Sequence, residues 1–477
     1  MKKQQKRKPK KIPAGSNPVT ARQWAFFFVE QWRSKDKLVR DQLIAAGSDR
    51  SEQHQGAKYA ERLILRIGII DIVLAECVSR PRDRVELTLW TLLQLGAAEL
   101  LFGPVKSHHA AISETVELCR FAGHPEWTGF LNGVLRGVQR LLDDETHDEA
   151  EANRYPAADR EYRSLKKKIF PNPNRRLRDY LSHAFSLPGF LISQWEKTFS
   201  QEELFEIAWA SLVPPPMTVR ISRMLIEPEK WIAKCEEQDI KVEAGDYPEA
   251  VRLKQSLRLS DLPGFHEGEF VIQDETAMHA VRLLNPYPKQ NVLDLCAGPG
   301  TKTTQLAELM LNQGNIVAAE VVEHRLKQVR ENAERLGYEC IETLLIDRHE
   351  PEIDGGPFDA ILVDAPCSNT GVLGKRVEAR WRYCDNEVRE LNEIQLHLVD
   401  VAARELEQDG RIVYSTCSID SRENEQLIQT WLELHPEFIC SEMKTILPNA
   451  THDGGFSALL FRKDSAEDKQ TTDAPSS

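Results

Sequence analysis

The chain has 477 residues, a formal net charge of −13, a hydrophobic fraction of 41% and a charged fraction of 28%. This length exceeds one ordinary hydrophobic core, so we expect roughly two to four domains. No apolar stretch is long enough to cross a bilayer, and no apolar segment of a secretory signal follows the N-terminus. We therefore expect a cytoplasmic, monomeric protein without a membrane segment.

The first third of the chain predicts a helical domain. Residues 1–18 form a basic, proline-containing tail that we expect to be disordered, with seven lysines or arginines and no acid in residues 2–11. Over residues 19–142, apolar residues recur at helical spacing, for example in residues 87–93 and 131–135. Few alternating runs interrupt this periodicity, which predicts an all-α domain.

A charged segment and a mixed segment follow the helical region. Residues 143–175 open acidic and close basic, with prolines at 171 and 173, and this pattern is typical of a linker. Residues 176–265 contain three consecutive prolines, then a β-like run at 217–221 and a helical pattern at 227–238. We predict a small intermediate α/β subdomain there.

Residues 266–463 alternate between predicted strands and helices. Strands are predicted at 291–295, 315–320, 358–363 and 411–414, and helices at 303–311, 323–336 and 387–406. Such alternation predicts a parallel sheet with helices on both faces, a Rossmann-like α/β domain. Residues 464–477 are polar and are predicted to form a disordered tail.

A glycine-containing turn lies where the first strand of this domain ends. Gly298 and Gly300 allow close approach of a ligand, and the following helix directs free N–H groups toward it. The turn matches neither G-x-G-x-x-G nor a P-loop, and a purely structural strand–helix connection has similar weight. Acids at the ends of the next strands favour a nucleotide-like cofactor: Glu320 for the ribose hydroxyls and Asp347 for an adenine amine. Taken singly, each acid is more commonly a helix cap or a loop residue.

The chain has nine cysteines. None lies in a C-x-x-C pair, so we predict no metal site, and their odd number argues against a disulfide framework. A lone cysteine is most simply a small buried residue, and we interpret Cys296 and Cys340 in this way. Cys367 and Cys417 differ because each follows a predicted strand that ends near the glycine turn.

Two thiols beside a cofactor pocket suit covalent activation of a pyrimidine for methyl transfer. A thiolate that adds to C6 of cytosine makes C5 nucleophilic, so that C5 can attack an electrophilic methyl group. A second group must then help to release the enzyme thiol. Asp364 precedes Cys367 and is placed to hold the N3/N4 edge of the base.

These motifs resemble a known family. Residues 294–302, 364–371 and 416–418 resemble the Sun/Fmu-type RNA (cytosine-5) methyltransferases, and residues 273–277 and 453–458 match the same family. Residues 108–116 and 130–136 are similar to the NusB-like helical domain of the bacterial ribosomal RNA small subunit methyltransferase B family. The resemblance implies a NusB-like RNA-binding domain over residues 19–142 and a methyltransferase domain over residues 266–463.

The resemblance also implies roles for individual residues. Cys417 is the implied nucleophile and Cys367 the residue that assists release, although spacing alone leaves this choice open because the Pro-Cys cysteine attacks in DNA cytosine methylases. The implied substrate is small-subunit (16S) ribosomal RNA. Implied ligands of S-adenosylmethionine are Cys296, Ala297, Gly298, Pro299, Gly300, Thr301, Lys302, Glu320, Asp347 and Asp364.

The basic stretch after Cys367 is a candidate RNA contact. It follows a predicted catalytic loop and contains a tryptophan, although any single basic patch is more simply a solvated surface. The predicted RNA-binding residues are Lys375, Arg376, Arg380 and Arg382. The stretch lacks a proline that the family carries, and Thr301 replaces the family's usual glycine.

Two alternatives remain open for the function. Sun-type catalytic domains serve several RNAs, so a transfer RNA could be the substrate. A catalytically silent RNA-binding factor for ribosome assembly is a different class of protein. The presence of both Cys367 and Cys417 favours an enzyme.

Overall fold

The computed structural model describes residues 18–35, 39, 42, 50–255 and 257–463. The described chain forms two compact units. Unit 1 extends to Val213 and also contains the short segment Arg376–Trp381. Unit 2 contains Pro214–Lys375 and the chain from Arg382. Residues 1–17 of the predicted basic tail and the predicted tail 464–477 lie outside the described residues.

Unit 1 begins with helices, as the periodicity predicts. Helix α4 is buried along most of its length and therefore forms the centre of this bundle. The predicted all-α region is confirmed within the described residues. Its helices are α1 (Ala21–Lys35), α2 (Arg50–Leu65), α3 (Ile67–Cys77), α4 (Leu87–Phe102), α5 (His108–Phe121) and α6 (Thr128–Leu141), with 3-10 turns at Arg82–Arg84, Val105–Ser107 and Pro125–Trp127.

The segment predicted as a charged linker instead contains a sheet. Strands β1 (Leu142–His147), β2 (Arg154–Ala158) and β3 (Glu161–Leu165) pair antiparallel in the order β1-β3-β2. The linker prediction is wrong because Tyr155 and Tyr162 are buried in this sheet while the intervening charges stay near the surface. Two buried tyrosines in a charged segment are too few to give the alternating apolar pattern by which a strand is recognised in a sequence.

Three further helices complete unit 1. They are α7 (Leu177–Ala184), α8 (Gly189–Trp195) and α9 (Gln201–Leu212). A capping box starts α9, since Ser200 accepts from the Glu203 N–H and Glu203 accepts from the Ser200 N–H. The predicted intermediate subdomain therefore divides: its helices from 177 to 212 belong to unit 1, and its strands belong to unit 2.

Unit 2 starts with a small four-stranded sheet. Its strands are all antiparallel and lie in the order β5-β6-β4-β7. Trp231 of helix α10 is fully buried against this sheet. The elements are β4 (Met217–Ile221), α10 (Pro228–Glu236), β5 (Val242–Ala244), β6 (Ala250–Leu253), a 3-10 turn (Leu259–Asp261) and β7 (Phe270–Ile272).

A seven-stranded sheet forms the rest of unit 2. Its order is β10-β9-β8-β11-β12-β14-β13, and all pairs are parallel except β12–β14 and β14–β13, because β14 alone runs in the opposite direction. The predicted strands and helices are confirmed to within a few residues. The elements are α11 (Glu275–Leu284), β8 (Asn291–Asp294), α12 (Thr301–Leu309), β9 (Asn315–Glu320), α13 (Glu323–Leu336), β10 (Ile341–Leu345), β11 (Phe358–Asp364), α14 (Asp385–Glu405), β12 (Leu406–Thr416), α15 (Glu425–Leu434), β13 (Phe438–Ile446) and β14 (Gly455–Arg462).

Alternate residues of the central strands pack on opposite faces of this sheet. Leu362 belongs to the core formed with α11, α12 and α13, whereas its neighbours Ile361 and Val363 belong to the core formed with α14 and α15. Burial on both faces explains the continuous apolar runs of these strands. Among the described helices, none is both long and apolar enough to cross a bilayer.

Candidate functional site

The predicted site lies at the carboxyl edge of the seven-stranded sheet. Strand β8 pairs with β9 on one side and with β11 on the other, so the strand order reverses at β8. In parallel sheets, ligands bind beyond the carboxyl ends of the strands at such a reversal. The glycine turn and both cysteine motifs follow the strands that end there.

The glycine turn packs directly against the end of β9. The Gly298 N–H donates to Glu320 Oε2 at 3.2 Å, and the Arg325 guanidinium donates to the Gly298 carbonyl. A Cβ on Gly298 would lie 2.5 Å from Glu320 Oε2. The backbone thus approaches the carboxylate as closely as glycine alone permits.

Gly300 starts helix α12 in a left-handed conformation. Its φ is +99°, and its carbonyl accepts the first helical hydrogen bond, from Thr304 N, at 2.9 Å. A Cβ here would lie 3.0 Å from the Cα of Val329 on helix α13. Both the conformation and the close packing therefore require glycine at this position.

We expect Gly300→Ala to destabilise the protein by about 1–2 kcal/mol, the cost of a left-handed non-glycine residue. Thermal melting of the cofactor-free protein measures this. Gly133→Ala is the matched control, because Gly133 lies inside helix α6 and an added Cβ meets nothing within 4 Å. That substitution should be neutral or stabilising by up to ~1 kcal/mol. Equal melting shifts for the two variants would contradict the expectation.

Glu320 and Asp347 end neighbouring strands but differ in burial. Glu320 is only 3% exposed, and its Oε1 accepts from the N–H groups of Val321 and Val322 at 2.9 and 3.2 Å. Arg325 Nη1 lies 3.2 Å from Glu320 Oε2. Asp347 is exposed, and its Oδ1 accepts from two N–H groups of its own loop, which lower the pKa of this carboxyl.

Two exposed apolar side chains that the sequence patterns did not indicate lie beside these acids. Val321 directly follows Glu320, and Leu345 pairs with Glu320 across the β9–β10 ladder. They are 37% and 52% exposed, unusual for aliphatic residues at the end of a buried sheet. Together they offer an apolar surface for a flat ring. Their exposure depends on tertiary packing, so the hydrophobic periodicity of the sequence does not indicate it.

Three charged side chains converge where β8 and β11 end. Lys302 Nζ lies 2.7 Å from Asp364 Oδ2. Burial opposes the charge of Lys302, but the Asp364 carboxylate outweighs it, so the pKa of Lys302 is raised. Asp294 is fully buried and accepts from Thr303 Oγ1 at 2.7 Å.

Asp294 also has an unused acceptor. In the described part of the chain, no donor reaches its buried Oδ1. An orphaned buried carboxylate oxygen costs free energy unless a ligand supplies the missing donor. The residues present therefore fit a small cofactor with a cationic or N–H group.

The pH dependence of stability tests this description of Asp294. Burial raises the pKa of Asp294 from 3.8 to about 7. In the unfolded chain this carboxyl has its ordinary, lower pKa and loses its proton at a lower pH than in the folded protein. The free energy of unfolding of the cofactor-free protein should therefore fall as pH rises from about 4 to about 7, by up to about 4 kcal/mol. Asp294→Asn has no such proton. We expect its melting temperature to fall less over this range than that of the wild type, and parallel curves would contradict the assignment.

The structure brings the two predicted cysteines together. Their Sγ atoms lie 3.1 Å apart, and the Cys417 Sγ donates to Asn369 Oδ1 at 3.3 Å. Both side chains are partly exposed. The hydrogen bond between the two thiols and burial together raise the pKa of the Cys367 thiol well above its ordinary value.

Sequence reasoning missed the polar residues behind the two thiols. Glu423 is fully buried and accepts hydrogen bonds from Ser368 and Ser418, which directly follow the two cysteines. Asn424 bonds the same loop through Thr416 Oγ1 at 2.7 Å and the Ser418 carbonyl at 2.9 Å. Glu423 and Asn424 lie just before helix α15. In the sequence, charged and polar residues at this place are typical of an exposed helix start.

One of the four predicted RNA-binding residues, Arg380, does not lie at the surface. Arg380 is fully buried in unit 1, where its guanidinium donates to the carbonyls of Leu65 at 3.2 Å and Ser211 at 2.6 Å. An arginine that supplies donors to buried carbonyls is inaccessible to RNA, so this prediction is corrected. Its neighbours Val377 and Ala379 are also buried.

The other three predicted RNA-binding residues are exposed. Arg376 belongs to unit 1, whereas Lys375 and Arg382 belong to unit 2. The Lys375 ammonium lies 3.2 Å from Asp274 Oδ2 and 2.7 Å from Asp453 Oδ2. Lys375 is therefore already paired with two acidic side chains, and the exposed Arg376 and Arg382 are the better candidates for phosphate contact.

The described side chains contain no group of three or more His, Cys, Asp or Glu residues arranged to hold a metal ion.

Comparison with protein families assigns the chain in three parts. The family described as 16S rRNA methyltransferase RsmB/F matches residues 281–461. The NusB family matches residues 19–140, and the RsmF/B-like ferredoxin-like domain matches residues 187–260. These assignments agree with the helical bundle and the seven-stranded sheet.

Similar proteins cover most of the chain. A probable ribosomal RNA small subunit methyltransferase B of Bacillus subtilis is 31% identical over 372 residues, which is 77% of each chain. The solved structure of the protein PH0851 has a TM-score of 0.69 at 22% identity and covers 94% of this chain and 100% of its own. The structure of NSun6 from Pyrococcus horikoshii with SFG has a TM-score of 0.51 at 20% identity and covers 60% of this chain and 98% of its own. At these identities the two structures support the fold.

Proposed function

Since the chain belongs to the ribosomal RNA small subunit methyltransferase B family, we propose that it transfers a methyl group from S-adenosylmethionine to C5 of a cytosine in small-subunit (16S) ribosomal RNA. One observation carries the cytosine-5 chemistry: two thiols lie 3.1 Å apart at the edge of a cofactor-type sheet. Methylation at an oxygen or an exocyclic amine needs no enzyme thiol. Covalent activation of a pyrimidine carbon does need one.

The glycine turn and the strand-end acids would hold the cofactor. S-adenosylmethionine supplies the electrophilic methyl group when it is bound. Glu320, already oriented by the N–H groups of Val321 and Val322, would accept from the ribose hydroxyls, and Asp347 would bind the adenine amine. The exposed side chains of Val321 and Leu345 would supply apolar surface for the adenine ring. Asp294 Oδ1 is free to accept from the amino group.

Cys417 acts as the nucleophile. Its sulfur forms a bond to C6 of the cytosine, and C5 becomes nucleophilic enough to take the methyl group. The attacking species is the thiolate, which a nearby cation favours. Lys302 is a cation that lies at this edge of the sheet, and it is held in place by Asp364. Asp364 also faces the N3/N4 edge of the base.

Cys367 assists release of the methylated base. After methyl transfer, solvent water takes the proton from C5 and the electron pair of that bond forms the C5–C6 double bond. The Sγ–C6 bond then breaks, and its electron pair leaves on Cys417 as the thiolate. Burial and the hydrogen bond to the neighbouring thiol raise the pKa of Cys367, which favours its protonated form. A protonated thiol is a poor nucleophile but can exchange a proton with its neighbour, which suits release better than attack.

The substrate class follows from the relatives. The curated homologue is named for small-subunit ribosomal RNA, and we carry that substrate over to this chain. The helical bundle adds RNA contact area, and Arg376 and Arg382 are accessible to phosphates. We also propose that the enzyme is cytoplasmic and monomeric and that its reaction uses no metal ion.

Transfer of labelled methyl groups from S-adenosylmethionine to unmodified small-subunit RNA tests the proposal. Digestion of the RNA to nucleosides should give 5-methylcytidine as the labelled product. Transfer RNA is the parallel substrate, and label there alone would make it the natural target. Label in another nucleoside would overturn the cytosine-5 chemistry. Failure with both RNAs and with partly assembled subunits would support a catalytically silent binding factor.

A further inference from the structure

A buried carboxylate connects the two cysteine loops. Glu423 is 0% exposed and lies in the turn between strand β12 and helix α15. Burial raises the pKa of this carboxyl, and hydrogen bonds from two serines oppose the shift. The catalytic scheme above assigns this group no step, and a fully buried acid needs a reason for its position.

Each carboxylate oxygen of Glu423 accepts donors from the cysteine loops. Oε1 accepts from the Ser368 N–H at 2.9 Å and from Gln395 Nε2 at 3.1 Å. Oε2 accepts from Ser418 Oγ at 2.7 Å and also from Ser368 Oγ. Ser368 directly follows Cys367 and Ser418 directly follows Cys417. A single side chain thus bonds the residue after each thiol.

The two loops need such a connection because their strands have already separated. The β11–β12 ladder ends with the pair Asp364 and Ser415, followed by one bond from Ala365 N to the Ser415 carbonyl at 2.9 Å. Beyond this point the loops meet through side chains and a few irregular bonds, such as Gly371 N to the Cys417 carbonyl at 3.0 Å. Asn369 bonds the Cys367 carbonyl at 2.8 Å and accepts from Cys417 Sγ at 3.3 Å. Glu423 adds a buried connection behind the thiols, at the residues that directly follow both cysteines.

We propose that Glu423 is a positioning residue that holds Cys367 and Cys417 in the relative geometry required for attack and release. This inference rests on the proposed function for its catalytic meaning, but the geometric part stands alone. Charge-assisted bonds to two hydroxyls and an N–H restrict both loops more firmly than neutral bonds do. A displacement of about 1 Å at a reacting group can cost roughly 10²-fold in rate.

Cross-linking of the two thiols measures their geometry without RNA or cofactor. Diamide oxidises a close pair of thiols: two S–H bonds break, one S–S bond forms, and the N=N group takes up both hydrogens and both electrons. The rate of the Cys367–Cys417 disulfide is followed by alkylation and peptide mass spectrometry. We expect rapid cross-linking in the wild type and a rate lower by about tenfold or more in Glu423→Ala.

Three further variants sharpen the test. Glu423→Gln should cross-link at a rate between those of the wild type and Glu423→Ala. Its oxygen can replace Oε1 and its amide can donate to the two serine hydroxyls, but these bonds are no longer charge-assisted. Asp420→Ala is the matched control: Asp420 is a buried acid of the same turn whose side chain bonds Tyr383 and Arg422. It should cross-link at the wild-type rate. If Glu423→Ala does not fold, Glu423→Asp replaces it, with an intermediate rate expected.

Methyl transfer completes the experiment. Glu423→Ala should lose roughly 10²-fold in kcat while its Kd for S-adenosylmethionine stays near that of the wild type. Wild-type cross-linking in Glu423→Ala or Glu423→Asp would overturn the inference, as would equal slowing in Asp420→Ala or an equally large loss of cofactor affinity. If the wild type methylates no RNA but the cross-linking differences appear, the proposed function fails and the positioning role stands.

Discussion

Cys417→Ala is expected to reduce methyl transfer to RNA by a factor on the order of 10⁴ or more, since it removes the atom that activates the base. The substitution removes one sulfur from a partly exposed loop, so the fold and cofactor affinity should be unchanged. Transfer of labelled methyl groups measures the rate, and equilibrium binding of S-adenosylmethionine provides the control. No covalent protein–RNA complex should form on a denaturing gel.

Cys367→Ala is the matched variant and should behave differently. It keeps the nucleophile but removes the group that assists release, so a covalent protein–RNA complex should accumulate while turnover falls. Such a complex is visible on a denaturing gel when RNA and S-adenosylmethionine are both present. If the complex accumulates in Cys417→Ala and is absent in Cys367→Ala, the two roles are reversed.

Arg220→Met is expected to have the largest effect on stability, about 3–5 kcal/mol, because it leaves a buried acid without its cation. Arg220 on strand β4 is 1% exposed and pairs with Glu308 on helix α12, which is 10% exposed. It also donates to Gln273 Oε1 at 2.8 Å and to Thr304 Oγ1 at 3.0 Å. Urea denaturation followed by tryptophan fluorescence measures the loss.

A double variant separates the buried charge from the packing. Arg220→Met with Glu308→Gln removes both charges but keeps an oxygen that can accept the Arg223 N–H, which donates to Glu308 Oε1 at 2.9 Å. We expect this double variant to recover much of the lost stability, since the uncompensated charge is the main cost. Equal losses in the single and double variants would show that side-chain packing dominates.

The fold of residues 266–463 was predictable because its strands are buried on both faces. Runs such as residues 360–363 and 316–319 are continuously apolar and are each followed by an acid, and this pattern identifies both the strand and its carboxyl end. The positions of Cys367, Cys417 and Asp364 at one edge then follow from the topology of parallel sheets. Their closeness in the structure reflects the adjacent pairing of β11 and β12.

The features that were not predictable depend on distant contacts. Arg380 lies in a run of charged residues and appears solvated, yet it is buried against carbonyls of Leu65 and Ser211, which are far away in the sequence. Glu423 resembles an ordinary residue at a helix start, and only its contacts with Ser368 and Ser418 show its position. The strands after residue 142 were not predictable for the same reason, because two buried tyrosines organise a segment whose local pattern is polar.

The central claim is that Cys417 attacks the base, and trapping with 5-fluorocytidine tests it most directly. RNA in which fluorine replaces the C5 hydrogen cannot lose a proton at that carbon after methyl transfer, so the covalent complex persists in the wild-type enzyme with both thiols present. Protease digestion and mass spectrometry then identify the modified cysteine. We predict that the nucleotide is attached to the peptide containing Cys417, and attachment to the peptide containing Cys367 would contradict the account.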